Sequence, residues 1–259
     1  MAAPYLFGDT DLAARRLRLL AEVYAGATRT FVQDWRTRQS GLVVDLGCGP
    51  GYSTRLLAEA LHSEHTVGLD KSAPFIALAQ QELLAGVAFH CHDVERVPFP
   101  VPAADVLFCR LLLTHLVQPQ ATLCRWATQL QPRGRLLIQE VEWIHTNSAT
   151  FTTYLQMQQA TLAQQAHCLY IGPILDAMPD PDLLRRRLSH VQRVPVAPTQ
   201  AATMFWLNFQ TWKHHPHVQS QYAATLLTSL EDDLRQLIDA PRSEVEIVWG
   251  LRQLVYERL

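Results

Sequence analysis

The chain has 259 residues, of which 48% are hydrophobic, and a formal net charge of −2. This length can bury one large core. The lack of a broad basic field argues against a nucleic acid or an anionic membrane surface as partner. No stretch approaches the roughly 18 apolar residues of a membrane span, and no secretory signal pattern opens the chain. We therefore expect a cytoplasmic protein with a small-molecule ligand.

Residues 1–40 are predicted to form a helical cap. Apolar residues recur among arginines at helical spacing, at Leu12, Leu19, Leu20 and Val23. The aromatic residues Tyr5 and Phe7 precede this pattern.

An apolar run from Leu42 to Leu46 is followed by Gly47, Gly49 and Gly51. This pattern predicts a buried strand that ends in a loop of bare backbone. A helix is then predicted from Tyr52 to Leu61. Glycines allow positive φ and let a ligand approach the backbone, and the helix start offers amide donors. The sequence therefore predicts a ligand-binding loop.

The glycine spacing indicates the kind of ligand. A dinucleotide fingerprint reads Gly-x-Gly-x-x-Gly, with phosphates at the helix N-terminus. Here Tyr52 takes the sixth position, and Asp45 stands two places before the first glycine. A carboxylate beside the loop repels phosphate and suits an ammonium group. A nucleoside-like ligand without phosphate is favoured, and a glycine turn without a ligand is the alternative.

Strand and helix patterns then alternate as far as about residue 144. Further strands are predicted at Thr66–Asp70, Val87–Val94, Ala104–Arg110 and Gly134–Glu140. Such alternation requires right-handed crossovers and a parallel sheet. Asp70 and Asp93 stand at the ends of two strands, where a ligand would bind. Capping of a following helix is the alternative role for both carboxylates.

The last third of the chain is less regular. A glutamine-rich helix is predicted over Thr150–Cys168, and another over Pro173–Leu188, with Arg185–Arg187 on its solvated face. A strand is predicted at Val191–Val196 and a final β-branched run at Val245–Tyr256. Between them, helical spacing returns at Leu226, Leu230, Leu234 and Leu237.

The segment VVDLGCGPG, together with Asp70 and Asp93, resembles motif I and the following acidic positions of class I S-adenosylmethionine-dependent methyltransferases of the small-molecule type. Ubiquinone, menaquinone and natural-product methyltransferases are of this type. The resemblance implies an α/β fold with a mostly parallel seven-stranded sheet, helices on both faces and helical lid elements. Residues 41–259 would form the methyltransferase domain, with lid insertions at about 149–170 and 199–240.

The resemblance also implies S-adenosylmethionine as cofactor and S-adenosylhomocysteine as product. The glycines would contact the methionine part. Asp45 would hold the loop and the ammonium group, and Asp70 would bind the ribose. His92, Asp93 and Val94 would meet the adenine edge, and Arg110 and Leu111 the methionine carboxylate and sulfonium. The implied cofactor-binding set is Asp45, Gly47, Gly49, Gly51, Asp70, Lys71, His92, Asp93, Val94, Arg110 and Leu111.

His115 and Glu140 are the candidate catalytic residues. His115 follows the fourth strand, and an unperturbed pKa near 6.5 suits a general base. A hydrogen bond from this ring to a loop carbonyl is the alternative. Glu140 ends the fifth strand, and strand alternation would put Glu142 on the same face. Methyl transfer itself needs a base only if the acceptor must lose a proton.

The resemblance leaves the acceptor open beyond a small molecule with an apolar or aromatic part. Tyr5, Phe7, the Thr150–Cys168 helix and the Phe205–Trp212 segment would cover the methyl end, although such aromatic residues are usually core. Non-methylating chemistry such as a cyclisation, and a catalytically silent binding subunit, are the alternatives. We expect no metal, because the histidines around Pro216 are too close together to converge on one ion. A homodimer is left open.

Overall fold

The computed structural model describes residues 11–36, 41–239 and 244–259. The chain begins with a long helix, α1 (Asp11–Asp34). The next elements are β1 (Leu42–Leu46), α2 (Tyr52–Leu61), β2 (His65–Asp70), α3 (Ala73–Ala79), β3 (Val87–Cys91), β4 (Ala104–Arg110), α4 (Pro119–Ala127) and β5 (Leu130–Thr146). The remainder comprises α5 (Ala149–Ala163), α6 (Gly172–Ala177), β6 (Leu184–Pro195), α7 (Pro198–Trp212), α8 (Pro216–Gln221), α9 (Ala224–Ile238) and β7 (Ile247–Arg258).

The strands of the described residues form one seven-stranded sheet with the order β3-β2-β1-β4-β5-β7-β6. The first five strands are parallel, and β7 runs antiparallel to both β5 and β6. The strand order reverses at β1, which lies between β2 and β4. This is the mostly parallel sheet that the sequence predicted, and the predicted bounds of β1 and α2 match the structure.

Helices cover both faces of the sheet, because each strand buries apolar side chains alternately on its two sides. On one face, α1 and α2 pack through Phe31, Val32 and Leu57 against β1, β4, β5 and β7. On the other face, Trp126 of α4 and Leu175 of α6 join a second apolar cluster. The indole of Trp126 is fully buried and donates to the Val94 carbonyl at 2.8 Å.

A third apolar cluster lies beside the sheet and belongs mainly to the helices inserted around β6. It joins α5, α7 and α9 to the middle of α1 and to the start of β7. Phe151, Tyr154, Phe209 and Trp212 are among its most deeply buried side chains. Packing of this extent holds α1 and the inserted helices together at one end of the sheet.

The prediction of a helix over Pro173–Leu188 was wrong. Only the short α6 forms, and Arg185–Arg187 lie on strand β6, which pairs with β7. Pro179 and Pro181 explain the early stop, because proline lacks an amide donor and disfavours a helical residue before it. Arg186 then donates to the carbonyl oxygens of Asp176 and Met178, so this arginine closes the turn.

Within the described residues, no helix is both long enough and apolar enough to cross a lipid bilayer.

Candidate active site

A cavity of about 540 Å³ opens at the carboxyl ends of β1, β2 and β4. In an open parallel sheet this is where ligands bind, at the point where the strand order reverses. The volume lies in the range of small-molecule and cofactor sites. Helix α1 closes one side of the cavity, and α5 and α7 close another.

The glycine loop after β1 contributes Gly47 and Gly49 to the cavity wall. Gly47, Gly49 and Gly51 have φ values of 68°, 52° and 84°, in the left-handed region that favours glycine. A Cβ at Gly47 would come within 2.7 Å of Leu112 Cδ1, and one at Gly51 within 2.6 Å of Phe89. At Gly49 a Cβ would meet only Leu17, at 3.6 Å. The loop therefore leaves space for a ligand next to the Gly49 backbone.

Two carboxylates predicted to bind a nucleoside line the same cavity. Asp70 Oδ2 accepts a hydrogen bond from the Gly49 amide at 2.8 Å, and Oδ1 accepts one from the Ser72 amide at 2.8 Å. Asp93 Oδ1 accepts from the Glu95 amide at 3.0 Å. The cap of α3 is Ser72, so Asp70 does not take the alternative role of helix cap.

Arg110 enters the cavity from the end of β4. Its guanidinium donates to Thr28 Oγ1 at 3.0 Å and lies over the Tyr24 ring at 5.8 Å. The Thr28 hydroxyl in turn donates to Gln139 Oε1 at 2.7 Å. Burial lowers the pKa of Arg110, and the nearby Asp45 opposes that shift. These contacts from α1 and β5 fix the orientation of the cation.

The loop after β4 has a strained backbone, and a side chain from β5 binds its amides. Leu111 lines the cavity with φ 54°, which is uncommon for a residue with a side chain. Glu140 Oε1 accepts hydrogen bonds from the amides of Leu112 and Leu113 at 2.8 and 2.7 Å. Burial raises the pKa of Glu140 to about 8. At neutral pH this favours an uncharged carboxyl group that positions the loop.

His115 lines the cavity at the end of this loop. Its ring meets the ring of His167 edge-on, with 5.7 Å between the centroids. Desolvation lowers the pKa of His115 to about 3, with added repulsion from His167, Arg16 and Lys71. The ring is therefore neutral at physiological pH and is a weak base.

Helix α1 contributes residues that the sequence interpretation missed. Arg16, Leu17, Leu20, Ala21 and Tyr24 all line the cavity from one helical face. Positions 16, 20 and 24 are spaced by one helical turn, which is the signal that could have found them. Arg16 is only 7% exposed.

The inserted helices form the rest of the wall. Phe205, Met204 and Leu162 line it together with the polar residues Gln158 and Asn208. Further along α7, Phe209 and Trp212 are fully buried in the third apolar cluster and belong to the core. Of the four aromatic residues in the predicted segment, Phe205 faces the cavity, Phe209 and Trp212 lie in the core, and Trp206 is partly buried against the same cluster.

Tyr154 and Asn208 connect α5 to α7 within this wall. The Asn208 side-chain amide donates to the Tyr154 hydroxyl at 2.6 Å. Burial raises the pKa of Tyr154, which therefore stays protonated. Tyr5 and Phe7, which were predicted to cover this end, lie outside the described residues.

The structure brings Gly47, Gly49, Asp70, Lys71, Asp93, Val94, Arg110, Leu111 and His115 together around the cavity. Four other predicted residues lie outside the cavity wall formed by the described part of the chain: Asp45, Gly51, His92 and Glu140.

The residues outside the wall have identifiable partners. Asp45 is buried and accepts from the hydroxyls of Ser53 and Thr54 at 2.6 and 2.7 Å, so it holds the start of α2. Burial raises the pKa of Asp45 to about 6. The His92 ring bonds the Arg96 carbonyl at 2.9 Å and does not line the cavity.

Glu142 does not support Glu140 as strand alternation had suggested. A bulge between Val141 and Trp143 interrupts the register of β5 against β7. Glu142 instead binds Arg252 through both carboxylate oxygens, at 2.8 and 2.5 Å. The extra residue of a bulge shifts the side chains that follow it, which the sequence pattern does not reveal.

No group of three or more histidine, cysteine, aspartate or glutamate side chains within ranges 11–36, 41–239 and 244–259 is arranged to hold a metal ion. The exposed His215 ring accepts from the His217 amide at 3.3 Å as α8 begins.

The reversed strand order, the left-handed glycine loop and the carboxylate at the end of β2 are features of α/β domains that bind nucleoside-containing ligands. Residues 44–138 match the family model of a methyltransferase domain. This match agrees with the resemblance to class I S-adenosylmethionine-dependent methyltransferases that the sequence carries. The cofactor of this class carries an amino acid and a nucleoside, which suits a site of glycines and carboxylates.

Curated proteins with assigned names are similar to part of the chain. The chain is 42% identical over 97 residues to a trans-aconitate 2-methyltransferase from Methylobacterium nodulans, covering 38% of this chain and 37% of that protein. It is 30% identical over 118 residues to a ubiquinone biosynthesis O-methyltransferase from Coxiella burnetii, covering 43% and 48%. The chain therefore spans less than half the length of these curated relatives.

The fold extends beyond the region of sequence similarity. The structure of a coclaurine N-methyltransferase bound to N-methylheliamine and S-adenosylhomocysteine aligns with a TM-score of 0.56 at 12% identity. The alignment covers 90% of this chain and 72% of that one. At this identity the likeness concerns the fold alone.

Proposed function

We propose that the protein binds S-adenosylmethionine in this cavity and transfers its methyl group to a small-molecule acceptor with an apolar part. The observation that carries the proposal is the meeting of the left-handed glycine loop with Asp70 inside the wall of the cavity. A carboxylate in that position can accept hydrogen bonds from ribose hydroxyls.

In this proposal the cofactor is held by groups from four strand ends. Gly47 and Gly49 leave space for the methionine part, and Arg110 faces its carboxylate. Asp70 accepts from the ribose, and Asp93 and Val94 border the adenine. Asp45, Gly51 and Glu140 act indirectly, because they hold α2, the loop and the segment after β4.

When bound, S-adenosylmethionine supplies a methyl group on a positively charged sulfur. The chain's own contribution is to place the acceptor in line and to exclude water. Holding two reactants in a reactive geometry can contribute on the order of 7–11 kcal/mol. Helices α1, α5 and α7 would perform this task as a lid over the cavity, consistent with the division into residues 1–40 and inserted segments.

The proposal has a direct test in two steps. Calorimetry should show binding of S-adenosylmethionine and S-adenosylhomocysteine but not of NAD. Incubation with methyl-labelled cofactor and a metabolite extract should then label a small molecule. Binding without label transfer would indicate non-methylating chemistry or a silent subunit, and lack of binding would refute the cofactor assignment. Cytoplasmic location and a homodimer stay predictions.

A further inference from the structure

Helix α1 contacts Arg110 from two successive turns. Tyr24 and Thr28 lie one turn apart, so their side chains share one face of the helix. Arg110 Cζ lies over the Tyr24 ring, 5.8 Å from its centroid, and the guanidinium donates to Thr28 Oγ1 at 3.0 Å. Tyr24 is 2% exposed and Thr28 is fully buried. The position of the cation therefore depends on a helix that precedes the sheet in the chain.

The hydrogen bonds around Thr28 have a defined direction. An arginine side chain has donors and no acceptor, so the Thr28 oxygen accepts from Arg110. The Thr28 hydroxyl then donates its own proton to Gln139 Oε1 at 2.7 Å. Gln139 lies on β5 and is fully buried. A hydrocarbon side chain at position 28 would leave the arginine and the glutamine without these partners.

Arg110 keeps most of its donors for a ligand. The bond to Thr28 is the one hydrogen bond that its side chain makes within residues 11–36, 41–239 and 244–259. The rest of its planar fork of N–H donors is available in the cavity wall, where Arg110 is partly exposed. A guanidinium held in one orientation can bind a carboxylate through two parallel hydrogen bonds.

The order of the strands separates the two ends of the cofactor site. Strand β1, which leads into the glycine loop, pairs with β2 on one side and with β4 on the other. Asp70 ends β2 and Lys71 follows it, whereas Arg110 ends β4. A ligand with its nucleoside at Asp70 that crosses the glycine loop therefore ends near Arg110. Lys71, which also lines the cavity, lies on the nucleoside side.

We propose that Thr28 is a positioning residue, which acts through Arg110 to hold the guanidinium towards the carboxylate at the amino acid end of the cofactor. This inference rests on the proposed function and adds α1 to the cofactor site. The amino acid end binds tightly only while α1 is packed against Arg110. By reciprocity, a ligand that carries the carboxylate stabilises the packed position of α1.

The first test compares two ligands that differ at the amino acid end. Methylthioadenosine has the nucleoside and sulfur of S-adenosylhomocysteine but lacks its amino acid. Calorimetry should show that Thr28→Val weakens S-adenosylhomocysteine binding by about tenfold or more, as expected when a charged group loses a hydrogen bond. Methylthioadenosine binding should not change. An equal loss for both ligands, or no loss for either, would overturn the inference.

Two further variants separate the hydroxyl group from packing. Thr28→Ser keeps the hydroxyl and removes a methyl group, whereas Thr28→Val keeps the shape and removes the hydroxyl. Thr28→Ser should therefore retain most of the affinity for S-adenosylhomocysteine. Thr30→Val is the matched control, since Thr30 is exposed on the same helix. If Thr28→Ser lost as much affinity as Thr28→Val, the role of Thr28 would be packing alone.

A double variant tests whether Thr28 acts through Arg110. Arg110→Met should weaken S-adenosylhomocysteine binding and spare methylthioadenosine. Adding Thr28→Val should then cause little further loss, because both changes remove the same contact. Two losses that add would mean that Thr28 acts independently, against the inference. A selective loss of S-adenosylhomocysteine binding in Lys71→Gln but not in Arg110→Met would also overturn it.

Gln139→Met provides a second variant if Thr28→Val does not fold. It removes the acceptor of the Thr28 proton, and it removes little else because Gln139 Nε2 has no partner among the described residues. We expect a smaller loss, again confined to S-adenosylhomocysteine. Unchanged affinity in folded Gln139→Met would contradict the proposed chain of hydrogen bonds.

Hydrogen exchange tests the coupling to α1 in the unaltered protein. At saturating concentrations, S-adenosylhomocysteine should slow exchange of the amides around Thr28 more than methylthioadenosine does. Equal protection by the two ligands would overturn the coupling. The proposed function fails in a different way, since lack of binding of either ligand to the unaltered protein would refute the cofactor assignment and this inference with it.

Discussion

The amide of Gly49 donates to Asp70 Oδ2 at 2.8 Å, so the glycine loop after β1 is joined to the end of β2. The other oxygen of Asp70 accepts from the Ser72 amide. One carboxylate thus connects the loop to the turn that begins α3. The same carboxylate lines the cavity, so loop geometry and ligand binding depend on one side chain.

Replacing Asp70 by alanine should weaken binding of S-adenosylhomocysteine by about 2 kcal/mol or more. The change removes a charged acceptor and leaves the Gly49 amide and the ribose hydroxyls poorly paired. Calorimetry measures the effect, and Asp232→Ala on the exposed side of α9 serves as control. Unchanged affinity in Asp70→Ala would refute its assignment to the ribose.

Two glycine-to-alanine changes should have opposite effects on stability. Gly47→Ala places a Cβ at a left-handed φ and 2.7 Å from Leu112, so we expect a loss of about 1–2 kcal/mol in the free energy of unfolding. Gly26 lies within α1 with nothing within 4 Å of an added Cβ. Gly26→Ala should therefore stabilise the protein by about 0.5–1 kcal/mol. Urea denaturation compares the two, and a stable Gly47→Ala protein would contradict the loop geometry.

His115→Ala should reduce turnover by less than about tenfold, because a ring with a pKa of about 3 gains little from accepting a proton. The pH profile of the unaltered protein should show no acid limb near the ordinary histidine pKa of about 6.5. His214→Ala, at an exposed site, is the control. A loss of roughly 10²- to 10⁴-fold, with a limb near 6.5 that vanishes in the variant, would show general-base catalysis by His115.

Glu140→Gln should flatten the pH dependence of stability. Burial raises the pKa of Glu140 from 4.5 to about 8 in the folded protein. The folded state therefore keeps a proton that the unfolded chain has lost between these values. The resulting stabilisation is complete below the unfolded pKa and is lost as pH rises through the folded pKa, by up to about 1.4 kcal/mol per pH unit.

Urea denaturation at several pH values across that window checks the Glu140 prediction. The variant keeps a carbonyl oxygen for the Leu112 and Leu113 amides and cannot ionise. Its stability should therefore change less with pH than that of Glu64→Gln, a surface control. Identical pH dependence in the two variants would show that Glu140 is ionised in the folded protein throughout the window.

Local patterns in the sequence were enough to predict the helices and strands whose conformation depends mainly on residues adjacent in the chain. The β1–α2 unit was predicted with its bounds because an apolar run, three glycines and a helical pattern follow one another directly. Strand–helix alternation predicted the parallel part of the sheet, whereas the seven-stranded fold was implied by the resemblance to the methyltransferase family. The helix predicted over residues 173–188 was wrong because prolines in a short segment outweighed its helical pattern.

Tertiary structure decided which side chains share the cavity. Arg16 and Asn208 lie 192 positions apart in the chain, and they line one wall only because α1 and α7 pack together. The bulge in β5 separated the environments of Glu140 and Glu142, and burial changed the acid–base character of His115 and Glu140. Desolvation and long-range packing arise from the whole fold, so residue type and spacing alone could not reveal them.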